Sequence, residues 1–114
     1  MSPDRSARVR RLLDYLKRSV AENLQFAVFE PNDEPLWASA RRSVADLLDT
    51  TWRNGLLEGT KPEEAYFVRC DRTTMTEDDL GNGLLVCLVG VAPVVPAEFE
   101  IFRVSQVTGD APQG

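Results

Sequence analysis

The apolar residues of this chain recur with two different spacings, and the spacings divide it into helices and strands. Between residues 5 and 22 they fall at helical spacing, with arginines and a lysine between them. A second stripe of the same kind lies between residues 35 and 53. The sequence therefore predicts two amphipathic helices, whose apolar faces are Val9, Leu12, Leu13, Leu16 and Val20 in the first, and Leu36, Trp37, Ala40, Val44, Leu47 and Leu48 in the second.

Proline, asparagine and glycine mark the ends of the second helix. Pro31 ends the preceding apolar run because it lacks a backbone donor. Asn32 and Asp33 can then cap free amides, and Pro35 is tolerated in a first turn. Asn54-Gly55 is typical of a helix end, since glycine accepts the left-handed conformation.

Four shorter apolar runs predict strands: 24–29, 65–71, 84–92 and 99–107. The third is apolar on both faces and belongs at the middle of a sheet. The predicted fold class is α/β (α+β), in the order helix, strand, helix, strand, strand, strand, with both helices packed on a small mixed sheet. The first strand, second helix and second strand would form a right-handed parallel crossover.

The second and third strands are predicted to pair as an antiparallel hairpin. If the loop between them is symmetric about residues 78 and 79, Cys70 lies opposite Cys87. The Met-Ser-Pro-Asp start has no signal-peptide core, so we interpret the two cysteines as reduced core thiols. A disulfide between them is expected only as an artefact of oxidation.

Composition limits the class of protein. The chain has 114 residues, 43% of them apolar, which is enough for one domain over residues 1–107 with a disordered tail over 108–114. A net charge of −5 argues against nucleic-acid and anionic-membrane partners, and no apolar run approaches the about 20 residues of a membrane span. Residues 1–22 nevertheless carry six basic and three acidic groups. This basic end is either a solvated helix face or a docking surface for an acidic partner.

Candidate chemistry is sparse. There is no histidine, which removes the commonest general base and metal ligand. The cluster Glu77-Asp78-Asp79 fails the calcium-loop pattern and is expected to be a solvated loop, and Gly81-Asn82-Gly83 lacks the third glycine of a dinucleotide fingerprint. An enzyme would need paired carboxylates such as Glu63 or Glu64 with Asp71, which the spacing does not demand. We expect no catalytic residue, no cofactor and no metal.

Thr60-Lys-Pro-Glu63 has the spacing of a capping box and predicts a brief helical turn before the second strand. Trp37 and Trp52 are interpreted as core or interface anchors in preference to parts of a cofactor box.

Three separated motifs carry a family resemblance: VFEPNDEPLWA, YFVRCD and VGVAPVVPAEFEIFRVSQ. Together they resemble the C-terminal domain of tail sheath proteins of contractile phage tails and related injection particles, over roughly residues 8–107. Full sheath proteins are several times longer, so the chain is expected to be an excised domain or a truncated relative. The resemblance implies a structural role in a virion tail sheath or injection-particle sheath, assembled in the bacterial cytoplasm, with other sheath subunits and the inner tail tube protein as partners.

The resemblance also implies that extended arms of neighbouring subunits add strands to the sheet of this domain. Phe99, Ile101, Phe102 and Val104 are the residues we assign to such an arm, within 98–107, or to the edge that receives one. Pro93 and Pro96 could act as a hinge, and exchange of the last strand is slightly preferred over closure on its own sheet. Another possibility is a small α/β adaptor that binds a peptide at its last strand.

The basic first helix is the candidate for contact with the tube. Arg8, Arg11 and Arg18 are spaced by three and seven residues, so they share one side of the helix, away from its apolar stripe. The solvated-face interpretation remains open for these three arginines.

Overall fold

The structure is a computed structural model that describes residues 3–112, with side chains from residue 6 onward. Two long helices, α1 (Pro3–Asn23) and α2 (Glu34–Arg53), are joined by a 3₁₀ helix (Gln25–Phe29). The remaining elements are α3 (Pro62–Ala65), β1 (Tyr66–Arg69), a second 3₁₀ helix (Arg72–Thr74), α4 (Glu77–Gly81), β2 (Leu84–Val91) and β3 (Glu100–Val107). Within residues 3–112, no helix combines the length and apolar character that crossing a membrane requires.

The three strands form one antiparallel sheet in the order β1-β2-β3. Helix α1 packs over β3 and α2 packs over β1, so both long helices lie on the sheet as predicted. The core is the layer between them. It joins Leu16 and Val20 of α1, and Ala40, Val44 and Leu48 of α2, to the fully buried β2 face of Leu85, Cys87, Val89 and Val91. The α/β class is confirmed, with a sheet that is antiparallel throughout and not mixed.

The pairing of β1 with β2 follows the predicted symmetry. Tyr66 lies opposite Val91 and Arg69 opposite Leu88, so each pair of residue numbers adds to the same value as the pair Cys70 and Cys87. Both cysteines are free and buried. A hydrogen bond between the two thiols, together with burial, raises the pKa of Cys70 well above its ordinary value. The predicted neighbourhood of reduced core thiols is confirmed.

The predicted first strand is wrong, and with it the parallel crossover. Residues 25–29 form a 3₁₀ helix, in which the amide of Ala27 donates to Leu24 O at 3.0 Å and that of Glu30 donates to Ala27 O at 3.0 Å. Leu24 and Ala27 are buried, and their spacing of three residues matches the 3₁₀ repeat. Burial of these two anchors in the short link between α1 and α2 outweighs the strand preference of Phe and Val, which depends on context.

The boundaries of α2 agree with the predicted signals. Asp33 is the N-cap and accepts from the amide of Leu36 at 3.4 Å, and Pro35 occupies the first turn. The helix ends at Arg53 with Asn54 as its C-cap, followed by Gly55 with φ of 82°.

One predicted cap and one predicted loop differ from the structure. The short helix α3 begins one residue later than the predicted capping box. Glu64, and not Glu63, reaches back to accept from the amide of Thr60 at 2.8 Å and from that of Lys61 at 3.3 Å. The acidic cluster 77–79 forms the start of α4, capped by Thr76, whose hydroxyl accepts from the amide of Asp79 at 3.0 Å. Thr76 and Asp79 have the spacing of a capping box. This capping box was overlooked in the sequence because the three carboxylates were considered only as calcium ligands.

The motif that follows the 3₁₀ helix is a structural junction centred on Asn32. Its side-chain amide donates to Leu84 O at 3.2 Å, and its carbonyl oxygen accepts from Trp37 Nε1 at 2.8 Å. Its backbone amide donates to the Asp110 carboxylate at 2.8 Å. One asparagine therefore connects α2, the start of β2 and the segment after β3.

The segment after β3 is tied to the body, whereas the sequence predicts a disordered tail from residue 108. Thr108 is buried and donates from its amide at 2.9 Å and from its hydroxyl at 2.6 Å to Gly83 O. The amide of Gly109 donates to Glu30 O at 2.8 Å. Polar partners on other elements therefore hold residues 108–110, and residues 113 and 114 lie outside the described part of the chain.

Candidate assembly interface

The outer edge of β3 is the longest stretch of strand edge in the fold. Among residues 3–112, its eight residues pair only with β2. Thr108 donates to Gly83 O, which places this pair in a hydrogen-bonded position of the ladder. Because such positions alternate along an antiparallel pair, the backbone groups of Ile101, Arg103, Ser105 and Val107 point outward. The carbonyl of Val107 accordingly accepts from its neighbour's side chain, Gln106 Nε2, at 2.9 Å.

The opposite edge, that of β1, is short and is tied to α2 at two points. Arg41 donates to Cys70 O, just beyond the strand, and also pairs with Glu34 at 2.9 Å. The Tyr66 hydroxyl donates to the Asp49 carboxylate at 2.9 Å. Only four residues long and tied down in this way, β1 is protected as native edges commonly are.

The Tyr66 contact predicts how stability depends on alkaline pH. Burial, followed by the hydrogen bond to Asp49, raises the pKa of Tyr66 to about 12. The neutral form is thus favoured by folding, so its stabilisation is complete below the unfolded pKa of about 10 and is lost as pH rises towards 12. Urea titrations from pH 8 to 12 should show that Tyr66→Phe is less stable than the parent at pH 8 and that the difference shrinks above pH 10. A difference that stayed constant to pH 12 would contradict this assignment.

The four apolar residues predicted for the arm or edge lie in three different environments. Phe102 and Val104 are 8% exposed and face the helices, with Lys17 Nζ 5.9 Å from the Phe102 ring centre. Phe99 packs edge-on against Phe67, with ring centres 5.1 Å apart. Only Ile101, 61% exposed, is open to a partner through its side chain. The structure brings Phe102 and Val104 into the core and leaves Ile101 on the opposite face of the strand.

The linker between β2 and β3 is held at several points. The amide of Ala97 donates to Glu64 O at 2.8 Å, and the carbonyl of Ala92 accepts from the amide of Glu58 at 2.8 Å. Residues 100–107 pair with β2 of their own chain. Exchange of this strand with a neighbouring subunit was slightly preferred from the sequence, and the structure shows the alternative, closure on its own sheet. Closure within one chain has the advantage of a high effective concentration.

Arg8, Arg11 and Arg18 are all exposed on α1. Tyr15, 52% exposed, lies one helical turn from both Arg11 and Arg18. Arg8 lies one helical turn before Arg11 and lines a groove of about 490 Å³ together with Leu56 and Glu58.

Sequence reasoning missed one surface. Phe26, Val28 and Phe29 were assigned to a strand, but in the 3₁₀ helix they are exposed by 38%, 42% and 86%. The missed signal was the spacing of Leu24 and Ala27, which marks three residues per turn.

Two of the three carboxylates considered for catalysis, Glu64 and Asp71, serve as caps. Hydrogen bonds from the amide and hydroxyl of Thr60 lower the pKa of Glu64. A hydrogen bond from the hydroxyl of Thr73 likewise lowers the pKa of Asp71, which caps the second 3₁₀ helix. Among the described residues, no group of three or more Cys, Asp or Glu side chains could hold a metal ion.

The domain thus has a short edge at β1, a long unpaired edge at β3, and a layer formed by α1 and α2 on the sheet. Residues 4–107 match the family model described as the phage tail sheath C-terminal domain. The chain belongs to this family. The match covers every helix and strand described above except the first residue of α1.

Two solved assemblies contain a chain similar to this sheath domain. One is the anti-feeding prophage baseplate, in which a chain 42% identical superimposes with a TM-score of 0.71. The other is the PVC sheath complex of an extracellular contractile injection system in its contracted state, with 40% identity and a TM-score of 0.68. The matches cover 86% and 90% of the present chain, but only 28% of either larger chain. Comparison with curated proteins gives no significant match.

Proposed function

We propose that this sheath domain is a structural part of a contractile sheath and links neighbouring subunits by accepting a strand on the outer edge of β3. The observation that carries the proposal is the contrast between its two edges. Along β3 the backbone groups of Ile101, Arg103, Ser105 and Val107 point outward, whereas β1 is only four residues long and is tied to α2. A strand from a second subunit would satisfy these groups through main-chain hydrogen bonds, which persist while subunits pivot.

The family match favours a sheath over a general peptide adaptor, because both similar assemblies are contractile injection machines. The particle would be a phage tail or a related injection system, assembled in the bacterial cytoplasm. The domain would serve assembly and carry out no catalysis, with no need of a nucleic acid, a membrane or a cofactor.

The second part of the proposal is that α1 faces the inner tube. Arg11 and Arg18, with Arg8 one turn before Arg11, present positive charge beside Tyr15. Exposed ion pairs contribute little individually and weaken with salt. Many such pairs along a tube would hold the sheath firmly and still allow the contacts to be released together on contraction.

Electron microscopy of cells that produce the particle tests both parts together. Ser105→Pro removes an outward amide without removing a bond to β2, and it should abolish assembled sheaths. Replacing Arg8, Arg11 and Arg18 by glutamate should leave sheath polymers but release them from tubes at low salt.

Ser105→Ala is the matched control and should assemble normally. Circular dichroism of each purified chain must show an unchanged fold for the comparison to count. Normal sheaths with Ser105→Pro would refute strand addition at β3. Unchanged association with tubes in the triple glutamate variant would leave the arginines as a solvated face.

A further inference from the structure

Two helices of this fold end in the same dipeptide, Asn54-Gly55 after α2 and Asn82-Gly83 after α4. The two backbones are nearly alike. Asn54 has φ of −81° and ψ of 4°, and Asn82 has φ of −95° and ψ of 6°. The glycine that follows has a positive φ in both places, 82° at Gly55 and 65° at Gly83. A difference in chemical behaviour between the two asparagines must therefore come from their surroundings.

An asparagine followed by glycine is the sequence context in which a side-chain amide is most readily lost. The backbone nitrogen of the glycine attacks Cγ of the asparagine, and no Cβ on the glycine hinders the approach. The new N–Cγ bond closes a cyclic imide, while the Cγ–Nδ2 bond breaks and Nδ2 leaves as ammonia with the proton of the glycine amide. Water then opens the imide to aspartate or to isoaspartate. Since ψ of the asparagine has to rotate before the nitrogen reaches Cγ, a fixed backbone slows the reaction.

The turn at Gly55 is open. Both Asn54 and Gly55 are exposed, and a Cβ built on Gly55 would meet no atom within 4 Å. The amide of Gly55 donates to Trp52 O at 2.9 Å. The amide of Leu56 donates to Thr51 O at 3.2 Å. These bonds lie within the end of α2, where helices commonly fray, so the turn can open without moving another element.

The turn at Gly83 is closed by the segment after β3. Gly83 is buried, and its carbonyl oxygen accepts from the amide of Thr108 at 2.9 Å and from its hydroxyl at 2.6 Å. A Cβ built on Gly83 would collide with the backbone of Asp110 and Ala111. Rotation at Asn82 therefore has to break bonds to a distant part of the chain and displace it.

We propose that Asn54 is a site of spontaneous deamidation and that the segment after β3 protects Asn82 from the same reaction. A structured turn has to open before it reacts, so the rate at each site follows the population of its open form. The turn at Gly83 has two additional hydrogen bonds, both from Thr108, and each is worth about a factor of five in such an equilibrium. Asn54 should therefore react at least about tenfold faster than Asn82.

Deamidation changes the end of α2 in both charge and backbone. A carboxylate at residue 54 lies at the negative end of the helix dipole, where negative charge is unfavourable. Isoaspartate also lengthens the main chain, which moves the amides of Gly55 and Leu56 away from their acceptors. The next residue, Leu57, is a core residue that is only 4% exposed. The modified chain should therefore melt at a lower temperature than the fresh chain.

Incubation of the full 114-residue chain in mildly alkaline buffer, followed by peptide mass spectrometry, tests the proposal. The deamidated peptide that contains residue 54 should accumulate at least about tenfold faster than the one that contains residue 82. An isoaspartyl methyltransferase should transfer a methyl group to the same peptide. In concentrated urea, which unfolds both turns, the two asparagines should react at similar rates because glycine follows each of them.

Two variants separate the site from its protection. Asn54→Gln lengthens the side chain by one methylene, which disfavours ring closure, and residue 54 should stay unmodified over the same period. Thr108→Val keeps the shape of the side chain but removes the hydroxyl donor to Gly83 O, and it should raise the rate at Asn82 by about fivefold. Circular dichroism should show an unchanged fold in both variants.

A folded chain in which Asn54 stays intact, while the urea-unfolded chain converts, would overturn the site. Equal rates at Asn54 and Asn82 in the folded chain would overturn the protection by the final segment, and so would an unchanged rate at Asn82 in Thr108→Val. None of these outcomes bears on strand addition at β3, which involves neither asparagine.

Discussion

Replacing Trp37 by alanine should lower the free energy of unfolding by about 3–5 kcal/mol, the range measured for large aromatic residues deleted from cores. Trp37 is only 7% exposed and packs in the core at the start of α2. Its Nε1 also donates to the Asn32 side chain at 2.8 Å, and Asn32 in turn contacts Leu84 and Asp110. The substitution therefore leaves a cavity and an asparagine without its partner.

Urea unfolding followed by circular dichroism measures this loss, and two variants divide it. Trp37→Phe keeps most of the ring but removes the donor to the half-buried Asn32, and should cost about 0.5–1.5 kcal/mol, the net contribution of one hydrogen bond. Trp52→Ala removes the other tryptophan, which is only partly buried, and should cost less than Trp37→Ala. Equal losses at the two tryptophans would show that the Asn32 junction is not a centre of stability.

Gly83→Ala should be the second most damaging change, with an expected loss of about 2–4 kcal/mol from left-handed strain and overpacking together. Gly83 has φ of 65°, and a Cβ built on it would lie 2.4 Å from Ala111 N and 2.5 Å from Asp110 C. These are backbone atoms, which cannot rotate away as a side chain can. The added methyl group must displace the segment that carries Thr108 and Gly109, with its hydrogen bonds to Gly83 and Glu30.

Gly55→Ala is the matched control for this prediction. Gly55 has φ of 82°, and a Cβ there would meet nothing within 4 Å. It should therefore lose only the conformational part, about 1–2 kcal/mol. Thermal unfolding of both variants gives the comparison, and a loss at Gly83 no larger than at Gly55 would mean that the final segment contributes nothing to stability.

The elements that could be predicted are those whose signals are local. The stripes of α1 and α2 repeat over five turns, and the caps at Asp33 and Asn54 are contained within a few residues of the helix ends. The register of β1 against β2 followed from the symmetry of one loop. Such signals need no knowledge of the rest of the fold.

The features that were missed depend on distant partners. Phe26 and Phe29 suggest a strand, and only the burial of Leu24 and Ala27 against the core decides for a 3₁₀ helix. The segment after β3 contains Gly, Asp and Pro, which resemble a tail until Gly83, Glu30 and Asn32 provide its hydrogen-bond partners. The spacing of Leu24 and Ala27 was a local signal for the 3₁₀ helix, but no pattern within the final segment identifies its distant partners.

The strand assigned to the candidate interface was predicted, and the exposure of its side chains was not. The sequence located β3 correctly, but it selected side chains by apolarity, and Phe102 and Val104 are core residues. The property that would matter for strand addition is the direction of backbone groups at residues 101, 103, 105 and 107, which depends on the register with β2. Amino-acid identity says little about it.

The unequal protection of the two sheet edges limits how far strand addition can proceed. A sheet open on both sides can recruit copies without end, which is the geometry of cross-β fibrils. Here β1 is only four residues long and is tied to α2 through Arg41 and Tyr66, so it offers little edge for a further strand, and two isolated domains would meet chiefly edge to edge through β3. The unpaired edge of β3 can therefore be present at high local concentration, as in a densely packed polymer, without leading to growth of a cross-β fibril.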